Sequence, residues 1–141
     1  MEQRTFGNTD LVCSAIGFGT WEMSTTMYGE IDVKEASQAV NTAIDHGITL
    51  FDTAEIYGPF HSEEILAKAL GNRRKEIVLV TKVGFHYGEG SKVLGTNSKK
   101  DYVIERTEAC LKRMNTDVID LMLIHWRDFD TPLDETMSGL E

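Results

Sequence analysis

Apolar residues in this chain fall into short, nearly unbroken runs. Between the runs they return at every third or fourth position. The runs are residues 15–19, 48–51, 77–80 and 118–124, each of strand length, the first running into a glycine turn. Between them lie three sets at helical spacing: Ala36, Ala39, Val40, Ala43 and Ile44; Ile65, Leu66 and Ala69; Val103, Ile104, Thr107, Leu111 and Met114. A fourth stripe begins at Leu133, Met137 and Leu140. Boundary signals agree with this division. Asp32-Val33-Lys34-Glu35 and Ser98-Lys99-Lys100-Asp101 read as capping boxes. Ser62-Glu63-Glu64 reads as a helix start, and Thr131-Pro132 as an N-cap and first helical position. Gly47 and Gly71 are the stops. At the front, residues 4–6 and 11–13 flank Gly7-Asn8-Thr9-Asp10, which predicts a short hairpin. Residues 84–97 are Gly-rich and read as a long loop, functional or flexible.

Four strand–helix units with nearly continuous apolar strands predict an α/β fold with a parallel sheet covered by helices. Right-handed crossovers put the carboxyl ends of all four strands on one edge. The chain has 141 residues, read as a single domain over 1–141 with no internal boundary. Its net charge is −9, and its densest basic cluster is only Arg73-Arg74-Lys75. Neither nucleic acid nor an anionic membrane is an expected partner. Cys13 and Cys110 lack metal-type spacing and read as two reduced thiols, which suits a cytoplasmic protein. The first residues lack the apolar core of a signal peptide. No apolar run approaches the roughly 18 residues of a membrane span.

The residues at the carboxyl edge carry the candidate chemistry. They are Gly19-Thr20-Trp21, Asp52, Lys82 and His125-Trp126, with Tyr57 shortly after Asp52. Ligand sites of parallel α/β sheets lie on this edge. A lysine inside the apolar run I-V-L-V-T-K-V-G-F either lies along the sheet with its ammonium in water or needs a carboxylate partner. Asp52, on the adjacent strand end, is the candidate partner. An ammonium beside the phenol of Tyr57 favours the phenolate, which suits a general acid. With His125 as a polar orienter, the set fits a carbonyl that receives a proton while something else adds to its carbon. It contains no obvious nucleophile. His46, His61, His86 and His125 are scattered, so no metal site is expected. G-F-G-T-W lacks the third glycine of the dinucleotide fingerprint.

Several segments together resemble the aldo-keto reductase superfamily. They are A-I-G-F-G-T-W, F-D-T-A-E-I-Y-G with S-E-E-I-L-A-K-A-L, V-L-V-T-K-V-G, and R-M-N-T-D-V-I-D-L-M-L-I-H-W. The resemblance implies a (β/α)8 barrel with the hairpin plugging its bottom. It also implies NADPH-dependent reduction of an aldehyde or ketone, with NADH as the alternative, and a catalytic tetrad of Asp52, Tyr57, Lys82 and His125. Gly19, Thr20, Trp21 and Asp52 match the part of the cofactor site near the nicotinamide. Trp21 and Trp126 match walls of the substrate pocket. Arg127 and Pro59-Phe60-His61 depart from the common pattern and bear on the range of substrates. A barrel of this type needs about 250 residues. The chain is therefore expected to be the N-terminal half of one, weak or inactive alone, with open sheet edges that favour self-association. Two rival readings are a non-catalytic, cofactor-sensing barrel like those of channel-associated relatives, and a complete small flavodoxin-type domain.

Overall fold

A computed structural model describes residues 1–25 and 29–141. Two short strands, β1 (Gln3–Thr5) and β2 (Val12–Ser14), form the expected antiparallel hairpin. Ser14 fastens it to the start of the main sheet. Its N–H donates to Thr49 Oγ1 (2.8 Å), and its hydroxyl accepts from the N–H groups of Thr49 and Leu50. The hairpin therefore sits at the amino end of the strands, opposite the candidate site.

The main sheet has four parallel strands: β3 (Gly17–Gly19), β4 (Leu50–Asp52), β5 (Val78–Val83) and β8 (Leu121–Ile124). They stand in chain order, β3-β4-β5-β8. A doubly wound sheet of flavodoxin type reverses direction at a switch point. A sheet that adds each strand to the same side is the arrangement of a (β/α)8 barrel. The flavodoxin reading is thereby removed.

Pleating divides the sheet into two unlike faces, because side chains alternate along each strand. Phe51, Leu79, Thr81 and Val83 point to one face and are buried. Helices α1 (Val33–Asp45) and α2 (His61–Leu70) cover Phe51 and Leu79 with Val40, Ala43, Ile44, Ile65 and Leu66. Helix α3 (Lys100–Arg113) covers Val83 with Val103 and Cys110. Burying each large apolar side chain contributes about 1.5–3 kcal/mol, so this face supplies most of the cohesion. Gly19, Asp52, Val80 and Leu121 are in register across the other face, and Lys82 is paired with Leu123.

The structure corrects several sequence expectations. Residues 84–97 form a second hairpin, β6 (Phe85–Tyr87) with β7 (Val93–Thr96), and not a loop. The phenol of Tyr102 on α3 donates to Phe85 O (2.8 Å) and pins it. Asp32 does cap α1, accepting from Lys34 N. The second capping box does not form. Lys99 occupies the N-cap of α3 without a side-chain cap, while Ser98 is buried and its N–H donates to Asp128. The start of α2 likewise lacks a cap from Ser62, whose hydroxyl reaches across to Thr20. Helix α4 (Leu133–Leu140) begins after Pro132, because the Thr131 hydroxyl is spent on Asp128 (2.6 Å). Ala39, Ile104, Leu133 and Met137 are exposed, although their spacing placed them on core stripes. Leu133 and Met137 line an apolar groove of about 330 Å³ beside β8, and Ala39 lines another beside β3.

The run 118–124 yields a strand only from Leu121, and Asp120 is the reason. Its Oδ2 accepts from Leu79 N (2.8 Å) and from Arg74 Nη2 (2.8 Å). The carboxylate thus stands where a strand carbonyl would otherwise accept, and it sets the start of the β5–β8 ladder. Asp120→Ala should cost at least about 2 kcal/mol, because it strands the Leu79 N–H and removes the counter-charge of Arg74. Asp120→Asn, which keeps one acceptor, should cost less. Urea midpoints read the difference, and an alanine variant as stable as the parent would contradict this role.

Candidate active site

The site rises from the polar parity of the sheet. Asp52 closes β4, and Lys82 lies on β5 two residues beyond Val80, the register partner of Asp52. The two side chains therefore leave the same face one step apart. Lys82 Nζ donates to Asp52 Oδ1 at 2.7 Å, to Thr53 O at 2.9 Å and to the Tyr57 phenol oxygen at 3.3 Å. The lysine side chain is 14% exposed and the aspartate 40%. Thus the ammonium is largely withdrawn from water, and its three partners, Asp52, Thr53 and Tyr57, all meet it with oxygens.

Backbone contacts continue the ladder past the strand ends and hold the exits. Thr20 N donates to Asp52 O, Thr53 N to Val80 O, Glu55 N to Lys82 O and His125 N to Val83 O. His125 follows β8 and meets the ring of Tyr57 edge-on at 5.9 Å. Tyr57 also stacks on Trp21 with centroids 6.3 Å apart. The structure thus brings Asp52, Tyr57, Lys82, His125 and Trp21 together. Trp126 is 65% exposed and packs against Phe85 at 6.0 Å, and Phe85 also meets His125 at 5.3 Å. Thr20 is buried, and its hydroxyl donates to Asp52 O while Ser62 donates to it. It ties three elements together under the site. Gly19, at the end of β3, has open space where a Cβ would stand.

His125 Nδ1 is buried and meets no hydrogen-bond partner among the described residues. Burial, with a smaller push from the Lys82 charge, lowers the imidazole below its usual value of about 6.5. The ring is therefore neutral at physiological pH. It can orient a polar group but does not arrive as a cation.

A second charged group lies behind the site, and sequence reasoning missed it. Glu55, 1% exposed, accepts from Arg106 Nε at 2.7 Å and Arg113 Nη2 at 3.3 Å. Glu63, fully buried, accepts from Arg113 Nε (2.8 Å) and from the Thr81 hydroxyl (2.7 Å). Arg106 and Arg113 are seven residues apart on α3, so they share a face. That spacing was the available signal. Phe85, in the stretch read as a loop, was also missed.

Two titrations follow. Nitrogen shifts of His125 should show a midpoint below that of an ordinary histidine. Lys82→Met should raise it part of the way, because burial, the larger cause, remains. An unmoved midpoint in that variant would remove the charge contribution. Burial also pushes Glu55 up from 4.5 to about 7, against the pull of Arg106 and Arg113. A raised folded-state value means that the native chain binds the extra proton between those limits. The associated stability is full below about pH 4.5 and is lost as pH rises through about 7. Urea midpoints across this range should therefore fall in the parent relative to Glu55→Gln, and parallel curves would refute the shift.

Comparison with known proteins agrees with the geometry. A model described as the aldo/keto reductase family matches residues 15–141. The aldo-keto reductase YhdN of Bacillus subtilis is 38% identical over all of this chain and 43% of its own length. A probable voltage-gated potassium channel subunit beta of Arabidopsis thaliana is 36% identical over 99% of this chain and 42% of its own. Among solved structures, the holo form of the aldo-keto reductase AKR11C1 from Bacillus halodurans superimposes with a TM-score of 0.88 at 34% identity, covering 99% of this chain and 45% of that one. An aldo-keto reductase from Klebsiella pneumoniae in complex with NADPH gives 0.74 at 34% identity, covering 91% and 40%. The chain spans less than half the length of the curated relatives it matches. Its four parallel strands in chain order are a partial (β/α)8 barrel, and the chain belongs to the aldo/keto reductase family.

Proposed function

We propose that this chain carries the proton-donating part of a carbonyl reductase that uses a nicotinamide cofactor and converts an aldehyde or ketone to an alcohol. The observation that carries the reading is the Lys82 ammonium, 2.7 Å from Asp52 and 3.3 Å from the Tyr57 phenol. A bound dihydronicotinamide would supply the hydride to the carbonyl carbon. The phenol of Tyr57 gives its proton to the carbonyl oxygen as that oxygen gains charge. The ammonium of Lys82 stabilises the phenolate left behind, and Asp52 holds the ammonium in place. His125, neutral and edge-on to Tyr57, orients the carbonyl. Trp21, Trp126 and Phe85 form an aromatic wall around the reacting group.

The residues present fit a nicotinamide and its ribose. The space above Gly19 is open, the half-exposed Trp21 ring stacks on Tyr57, and Asp52 stays part-exposed after binding Lys82. Gly19, Trp21 and Asp52 are the proposed contacts, while Thr20, expected among them, is fully buried and supports them from below. The Klebsiella complex favours NADPH as the cofactor, with NADH as the alternative. The Arabidopsis relative supports a second reading, in which the same site binds cofactor within a barrel that serves a partner protein.

In the complete protein, Tyr57→Phe should lower carbonyl reduction by at least about 100-fold. Cofactor affinity should stay nearly unchanged. Retained turnover would remove Tyr57 as the acid. Absence of turnover in the parent, with intact NADPH binding, would favour the partner-serving reading. For the 141-residue chain alone, NADPH titration followed by tryptophan fluorescence should show weak binding, and affinity in the micromolar range or tighter would contradict that.

A further inference from the structure

We propose that Glu55 is a positioning residue for Tyr57, and that Arg106 and Arg113 of α3 are the clamp through which it acts. This rests on the reading of Tyr57 as the proton donor. Glu55 stands two residues before Tyr57, and its side chain points away from the site into the layer beneath α3.

Both ends of the segment that carries Tyr57 are fixed by the same two guanidiniums. At one end they hold the Glu55 carboxylate. At the other, Phe60 lies against Arg113 at 4.5 Å and Arg106 at 5.2 Å, with Tyr87 of β6 tilted on it at 4.8 Å. The backbone draws these ends together, since Phe60 N donates to Glu55 O at 2.6 Å. Glu55 N also donates to Lys82 O, so the same residue is tied to the strand that bears the ammonium. Tyr57 sits at the apex, its N–H on Ala54 O and its carbonyl accepting from Ser62 N. Phe60 holds a left-handed backbone (φ 73°), a conformation unfavourable for a bulky residue. Gly58, beside Tyr57, is left-handed too, and a Cβ there would stand 3.2 Å from His61 and 3.3 Å from Ser24. The segment is thus strained locally and held from behind.

Stability alone accounts poorly for this arrangement. Burying a carboxylate and two guanidiniums costs several kcal/mol per ion, which good geometry only partly offsets. Here the offset is incomplete: Glu55 Oε2, Arg106 Nη2 and the Tyr87 hydroxyl are buried with no hydrogen-bond partner among the described residues. Apolar residues would pack this layer with less penalty. They would not fix the direction of the segment, as two guanidiniums converging on the one Glu55 oxygen, Oε1, do. The contact it protects is narrow. The phenol is 3.3 Å from the ammonium, and displacement by about 1 Å at such a group can cost about 100-fold in rate.

Glu55→Gln and Glu63→Gln separate positioning from general support. Both change one buried carboxylate bonded to Arg113, but only Glu55 lies in the segment that bears Tyr57. The full chain is labelled with tyrosine carrying carbon-13 at Cζ. The Tyr57 signal is assigned by its loss in Tyr57→Phe. In Glu55→Gln this signal should split, broaden or move, while in Glu63→Gln it should stay in place despite lower stability. Where the protein turns over, Glu55→Gln should lower kcat by roughly 10- to 100-fold at unchanged KM for cofactor. Should Glu55→Gln fail to fold, Arg106→Lys keeps the charge, removes the planar fork, and should disturb the same signal. An undisturbed Tyr57 signal in the folded Glu55 or Arg106 variant overturns the proposal, as does equal disturbance in Glu63→Gln. Turnover retained in Tyr57→Phe would defeat the assignment of the acid while leaving the spectral outcome intact.

Discussion

The site depends on one placed charge, the ammonium of Lys82. It emerges from an apolar strand at an edge where little water reaches it, so it must be met by oxygen atoms. Asp52, Thr53 and Tyr57 supply them within 3.3 Å. Two of these partners are consequences of the sheet. β4 and β5 are adjacent and parallel, and Asp52 shares a face with Lys82 because both obey the two-residue side-chain period. A one-residue slip between those strands would turn the carboxylate to the helix side and leave the ammonium unpaired. Fold and chemistry therefore have a common requirement, and the anchors at Asp120 and Ser14 act on the site by defending register.

Tyr57, the third partner, is not placed by the sheet. It lies in a connection, where the backbone has no ladder to follow. Its position is set by side chains reaching into the next layer. Asp52 and Glu55, three residues apart, send their carboxyl groups in opposite directions: one toward the open face, the other into α3. The segment is stretched between two cation sites. That explains how a loop residue can meet a strand residue at a defined distance.

Much of this was legible in the sequence, and the limits have physical causes. The strands, the helix positions and the shared carboxyl edge with Asp52, Lys82 and His125 follow from short-range periodicity and from the handedness of βα crossovers, whereas the strand order follows only from the family resemblance. Asp52, Lys82 and His125 were visible because an ionisable residue at the end of an apolar run stands out. Glu55, Glu63, Arg106 and Arg113 did not stand out. Each sits among other charged residues, and their burial exists only once α2 and α3 pack over the sheet. Capping signals failed at Ser98 and Thr131 because Asp128 draws on both residues. The Gly-rich stretch folds as a hairpin because Tyr102, on a later helix, holds Phe85. Leu133 and Met137 look like core by spacing, but spacing cannot say which face has a neighbour.

The unequal faces of the sheet bear on how such a site tolerates its own cost. Three ionised or ionisable groups near one loop are withdrawn from water, and two part-buried arginines join them. None of this favours folding strongly. The helix-facing side offsets it with Phe51, Leu79 and Val83, each in the residue position next to a site or register residue: Asp52, Val80 and Lys82. Alternation therefore does more than separate inside from outside. It sets an apolar side chain beside every functional one on the same strand, so that the backbone carrying the charge is gripped within one residue of it. A substitution at Phe51 should consequently reach the chemistry through Asp52, although the phenyl ring never faces the ligand.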